Sequence, residues 1–140
     1  EYINRINNLT PETQRKWGKM SVDQVLAHLN VAYDLTFTPE KFPKPSFIAK
    51  FLLSRFVKPK ITNEIPYKQS LPTSPAFIIA DERNFEEEKA KLIGNIQRVQ
   101  QLGREAFEGK ENINFGKMTA QGWNNMFAKH LNHHLDQFGV

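Results

Sequence analysis

The segment from Thr119 to Gly139 leaves this chain little choice of fold. Trp123, Phe127, His130, His134 and Phe138 recur at intervals of three and four, the spacing of one face of an α-helix. At about 100° per residue, with Trp123 set at zero, His130 falls about 20° to one side and His134 about 20° to the other. Asn125, Lys129, Asn132 and Asp136 fall on the opposite face. The two histidines therefore occupy the centre of an apolar stripe. Two imidazoles in an apolar core are costly unless something satisfies their nitrogens. The fold must cover this stripe and also supply that partner. Thr119 is placed to cap the helix, which runs to about Gln137 and stops before Gly139.

A divalent cation meets the need directly, because histidines at i and i+4 can share one ion. The chain has four histidines. His133 falls about 80° from the centre of the stripe and is expected at its rim. Gln137, one turn beyond His133 and His134, is placed to hold a ligand imidazole or a bound water from behind. His28 lies in a distant apolar segment with Val25, Val31 and Ala32 among its nearest helical neighbours. A lone buried histidine is more often a satisfied core residue than a ligand. Beside the His130/His134 pair, His28 is the natural third ligand from another helix. The chain has no cysteine, so the metal would rest on nitrogen and oxygen ligands. Zinc, nickel and iron all suit imidazole, and the pattern does not choose among them.

The rest of the chain reads as helices with one long interruption. Tyr2, Ile3, Ile6 and Leu9 predict a short first helix before Thr10-Pro11. Ser21 and Gln24 form a capping-box pair ahead of Val22, Val25, Leu26, Leu29, Ala32 and Tyr33. That helix is expected to end near Phe37, before Pro39, Pro43 and Pro45. Ser46 starts an apolar segment, Phe47 to Val57, interrupted by Lys50 and Arg55. Core packing is the expectation for it, with a membrane or partner surface as the alternative. Pro59 to Pro75 reads as an irregular connection, and Ala76 to Ala80 as an extended stretch packed on the bundle. The longest helical pattern runs from about Arg83 to Phe107, with an acidic first turn that suits the helix dipole. Gly109 and Glu111-Asn112 interrupt the chain after it. The expected fold is all-α: four or five helices around one core, with residues 1–140 as a single domain.

Composition narrows the function classes. The net charge of +4 is mild. Lys41, Lys44, Lys50, Arg55, Lys58 and Lys60 make a basic middle, but no nucleic-acid motif accompanies them, and solvated lysines are the plain reading. No apolar run approaches the length of a membrane span, and no secretory signal pattern is visible. The absence of cysteine fits a reducing, cytoplasmic setting. The chain opens on Glu1 rather than Met, as a trimmed chain would. No His-Glu-x-x-His motif, glycine-rich phosphate loop or Gly-x-Ser-x-Gly elbow occurs.

Two stretches resemble a known family. One is Lys16-Trp17-Gly18-Lys19-Met20-Ser21, followed by Gln24 to His28. The other is Asn114-Phe115-Gly116-Lys117-Met118-Thr119, then Trp123, then Lys129-His130 through His133-His134 to Gln137-Phe138-Gly139. Together they cover roughly a third of the chain. They are similar to the DinB-like superfamily, in the uncharacterised branch called domain of unknown function 1569. The resemblance implies a four-helix bundle in which His28, His130 and His134 bind a divalent metal. It implies metal-assisted chemistry on small thiols in the wider superfamily, no known activity in this branch, and a homodimer as the quaternary expectation. Phe37 to Ala80 falls outside the resemblance.

Two functions follow as expectations. The first is a metal-dependent enzyme acting on a small-molecule substrate, activating a low-molecular-weight thiol or a water in transferase or hydrolase-like chemistry. Asp23, Asp34 and Asp136 are the only nearby carboxylates by sequence, and Asp136 faces away, so thiol activation is favoured over proton-transfer hydrolysis. The second is a non-catalytic helical module with a structural metal or a hydrophobic ligand. A third arrangement, an ion-free hydrogen-bonded histidine cluster, predicts that His134→Ala loses stability without losing any ion.

Overall fold

The computed structural model describes residues 1–140. Three long helices carry the core: α2 over Val22–Phe37, α5 over Phe85–Leu102 and α6 over Ala120–Gln137. The short α1 over Tyr2–Asn7 packs on α5 and α6. Between α2 and α5 come α3 over Phe47–Leu52, a π-turn over Leu53–Val57 and α4 over Lys58–Thr62. No helix is long and apolar enough to cross a membrane.

α2 is the central helix. Eleven of its sixteen residues are buried, too many for a helix with one solvated face. Its start carries the anticipated capping box, in which the Ser21 backbone N–H donates to Gln24 Oε1 at 3.1 Å. The buried Asn30 is fully engaged, donating to the Glu88 carbonyl at 3.0 Å and accepting from Asn95 at 3.0 Å. α6 meets α2 through Tyr33, whose ring stacks on Phe127 with centroids 4.7 Å apart. Trp123, only 1% exposed, lies edge-on to Phe107 and close to Phe127, and donates from Nε1 to the Lys110 carbonyl at 3.3 Å. Eighteen buried apolar residues from α1, α2, α5, α6 and the adjoining turns form one connected cluster.

Several local expectations are corrected. The long helix ends at Leu102, not near Phe107, because Gly103 takes φ +71° and turns the chain out. Asn84 caps its start by accepting from the Glu87 N–H at 3.1 Å. The break near Glu111 is a small hairpin, β1 (Glu111–Asn112) against β2 (Gly116–Lys117), antiparallel with Glu111 opposite Lys117. Asn112 Oδ1 accepts from the backbone of Asn114 and Phe115 and shapes its turn. The connection from Pro59 is not irregular at its start, since α4 continues to Thr62. Pro59 has no N–H to donate, but it sits in the first turn of α4, where none is required. Ala76 to Ala80 is not one extended run: Pro75–Phe77 is a single 3-10 turn, and the chain extends from Ile78.

Two corrections concern burial. Phe47 to Val57 contains no buried residue, so it does not pack into the core. Lys129, expected on a solvated face, is buried under α4 and donates to the Lys60 carbonyl at 2.6 Å and to Asn63 Oδ1 at 2.7 Å. Asn125 on the same face donates to the Thr62 carbonyl at 2.8 Å. α6 is therefore covered on both sides, by the core on one and by α4 on the other.

Candidate metal centre

α6 supplies His130 and His134, and α2 supplies His28. One ligand-type nitrogen from each lies within 4.8 Å of the other two. His28 and His134 are buried, while His130 keeps a partly exposed edge rather than sitting fully inside the stripe. The three rings meet edge to face, with centroids 4.6 to 5.1 Å apart.

In two of the three rings the other nitrogen is held by a fixed acceptor. Nδ1 of His28 donates to the Phe77 carbonyl at 2.8 Å. Nδ1 of His134 donates to Gln137 Oε1 at 2.7 Å. Gln137 is itself anchored, because its Nε2 donates to the Trp17 carbonyl at 2.7 Å. An amide oxygen and a carbonyl can only accept, so the protons sit on Nδ1 and Nε2 of both rings is unprotonated. His130 Nε2 lies 2.8 Å from His28 Nε2, a hydrogen bond in which His130 donates.

Burial sets the charge state of the cluster. It pulls the His28 imidazole below its ordinary range, outweighing the Phe77 bond that works the other way. It also pushes His130 well down, helped by the neighbouring His28, His134 and His133. His134 falls to about 3, again through burial first and then His28. All three rings are neutral at pH 7, the form that ligates a metal.

These residues fit a divalent ion. Nitrogen bonds of about 2.0–2.1 Å put two nitrogens of one tetrahedral ion roughly 3.3 Å apart, between the closest and the widest separations in the cluster. Hydrogen bonds that hold the far nitrogen of a ligand ring are the usual support for such a site.

His133 stands at the rim, as its angle on the helix predicts. Its ring lies 4.9 Å from that of His134 and 6.0 Å from both Trp17 and Tyr67. A cavity of about 300 Å³ opens beside it, lined among others by Trp17, Tyr67, Lys129 and His133. The Trp17 Nε1 is buried without a hydrogen-bond partner. The aspartates considered as bases are engaged elsewhere. Asp23 accepts from the Arg83 N–H at 2.8 Å, Asp34 pairs with Lys91 at 2.8 Å, and the exposed Asp136 pairs with Arg5 at 2.6 Å.

Two contributors were not legible in the sequence. The Phe77 and Trp17 carbonyls hold the site, and a backbone carbonyl carries no residue signature. Gly18 is a clearer sign: its φ is +82°, and a β-carbon there would collide with Gln137 Nε2. The stretch Lys16 to Gly18 thus docks on the end of α6, with the Lys16 N–H also donating to the Gln137 carbonyl at 2.7 Å.

The fold and the cluster define a mostly helical protein in which three histidines, from two helices, could hold a metal ion. The chain belongs to the family described as protein of unknown function (DUF1569), whose model matches residues 1–139. Among curated proteins nothing matches the chain, and among solved structures nothing matches either.

Proposed function

We propose that residues 1–140 form one DinB-like four-helix bundle domain, and that it is a metal-dependent enzyme acting on a small thiol or a water. His28, His130 and His134 are the ligands, Gln137 holds His134 from behind, and His133 lines the approach. The observation that carries the reading is the convergence of three neutral imidazoles, two of them with the far nitrogen tied to a fixed acceptor. These bonds leave the opposite nitrogen of each ring unprotonated and turned toward the other rings, the support that histidine ligands commonly have.

When bound by these three neutral histidines, a divalent ion would supply Lewis acidity that lowers the pKa of a thiol or water beside it. The protein's part is to bind and orient. Gln137 and the Phe77 carbonyl fix the ring planes, while Trp17, Tyr67 and His133 wall the neighbouring cavity. Asp23, Asp34 and Asp136 are occupied by Arg83, Lys91 and Arg5, so none of these three stands ready as a general base. That favours thiol activation over hydrolysis with any of these three aspartates as the base.

A second reading, a non-catalytic module for a hydrophobic ligand with a structural metal, draws support from another cavity. It measures about 600 Å³ and is lined mainly by apolar residues, Tyr33, Ile96, Val99 and Phe107 among them. Turnover separates the two. Protein loaded with zinc, nickel or iron is assayed with a small thiol and an electrophilic acceptor, beside chelator-treated protein and His130→Ala/His134→Ala. Metal-dependent turnover lost in the variant supports the enzyme. Equal rates in all three leave the binding module in front.

A further inference from the structure

The helical stretch from Phe47 to Thr62 is amphipathic in the inverted sense. Its polar side faces the protein: Lys50 pairs with Glu111 at 2.7 Å, Lys58 Nζ donates to the Lys117 carbonyl at 2.5 Å, and the Thr62 carbonyl accepts from Asn125 at 2.8 Å. Its apolar side faces outward, with Phe47 87%, Ile48 70%, Phe51 61% and Phe56 59% exposed and Leu52 beside them. A contiguous row of large exposed side chains is unusual on a protein surface and marks a place where something docks.

The charge around the row says what. From Lys41 to Asn63 the chain carries six Lys or Arg and no Asp or Glu. Lys41, Lys44, Arg55 and Lys60 are exposed and pair with no carboxylate. A second copy docking here through the same face would set these cations against their own kind. An anionic lipid surface complements them and takes up phenylalanine and leucine at its acyl boundary. We infer that Phe47 to Val57 is a peripheral docking face for an anionic phospholipid bilayer. Phe47, Ile48, Phe51, Leu52 and Phe56 enter the interface, and Lys41, Lys44, Arg55 and Lys60 contact the headgroups. Docking is in the interface plane and needs no spanning helix. It is independent of any metal at the three histidines.

The test is co-sedimentation of the intact protein with vesicles of phosphatidylcholine alone and of phosphatidylcholine with phosphatidylserine at 7:3. The expected result is strong preference for the anionic vesicles, weakened by high salt. Phe51→Ser/Phe56→Ser should bind about tenfold more weakly or worse, by the apolar area withdrawn from the interface. Lys44→Ala/Arg55→Ala should lose the anionic preference by about fivefold per cation removed. All four side chains are exposed, so circular dichroism melting should match the wild type in both variants. Equal, weak binding to both vesicle types overturns the inference. So does a wild-type dimer in sedimentation that Phe51→Ser/Phe56→Ser converts to monomer, which would make this face a contact between copies.

Discussion

Gln137 Oε1 accepts the Nδ1 proton of His134 at 2.7 Å, one turn away on the same helix, and so aims the opposite nitrogen of that ring at His28 and His130. Gln137→Ala removes the acceptor and frees the ring to turn. Metal affinity should drop about 10- to 100-fold with little change in fold. Competition with a chromophoric chelator measures it. Unchanged affinity would mean that the hydrogen bond does nothing for the site.

Gly18 and Gly94 should respond to alanine with opposite signs. Gly18 is held at φ +82° against Gln137, where a β-carbon collides and the backbone is strained. Gly18→Ala should cost about 1–2 kcal/mol for the left-handed backbone alone, with the collision added. Gly94, inside α5, has open space around its missing β-carbon, so Gly94→Ala should gain about 0.5–1 kcal/mol from helix propensity. Urea midpoints for the two variants check both signs. Equal shifts in one direction would contradict the local reading.

The helix faces were legible because burial follows period. The Trp123-to-Phe138 arithmetic places His134 inward and His133 at the rim, and Ser21 and Thr119 start helices as their cap chemistry predicts. Contacts between segments far apart in sequence were not legible. Lys129 looked solvated because the chain that covers it, Lys60 to Asn63, arrives from about seventy residues away. The segment from Phe47 looked like core because hydrophobic period reports which side is apolar, not which way that side faces. The acceptors that orient His28 and Gln137 are backbone carbonyls, which every residue owns.

Trp123 ties α6, the helix that carries His130 and His134, to the core through Phe107. Trp123→Ala leaves a large cavity and an unused acceptor at the Lys110 carbonyl. The loss should be about 3–5 kcal/mol. Chemical denaturation of wild type and variant measures it, and a loss below about 1 kcal/mol would mean that the site collapses freely.

The histidines should also make chelator-treated protein sensitive to acid. An unfolded imidazole takes its proton near 6.5, and folded His134 only near about 3. Between these values the unfolded chain binds more protons. Stability therefore rises with pH through that window and is fully present above about 6.5. His28 and His130 shift in the same direction through burial. The fall in urea midpoint from pH 7 to pH 5 should be larger in wild type than in His134→Asn. The same fall in both proteins would remove the histidines from the acid response.

Elemental analysis of the purified, untagged protein beside His130→Ala/His134→Ala tests the metal centre most directly. Near-stoichiometric divalent metal in the wild type and none in a folded double variant is the expected result. Wild-type protein that holds no metal, and binds neither added zinc nor added nickel, would contradict the metal site and leave His28, His130 and His134 as a hydrogen-bonded core cluster.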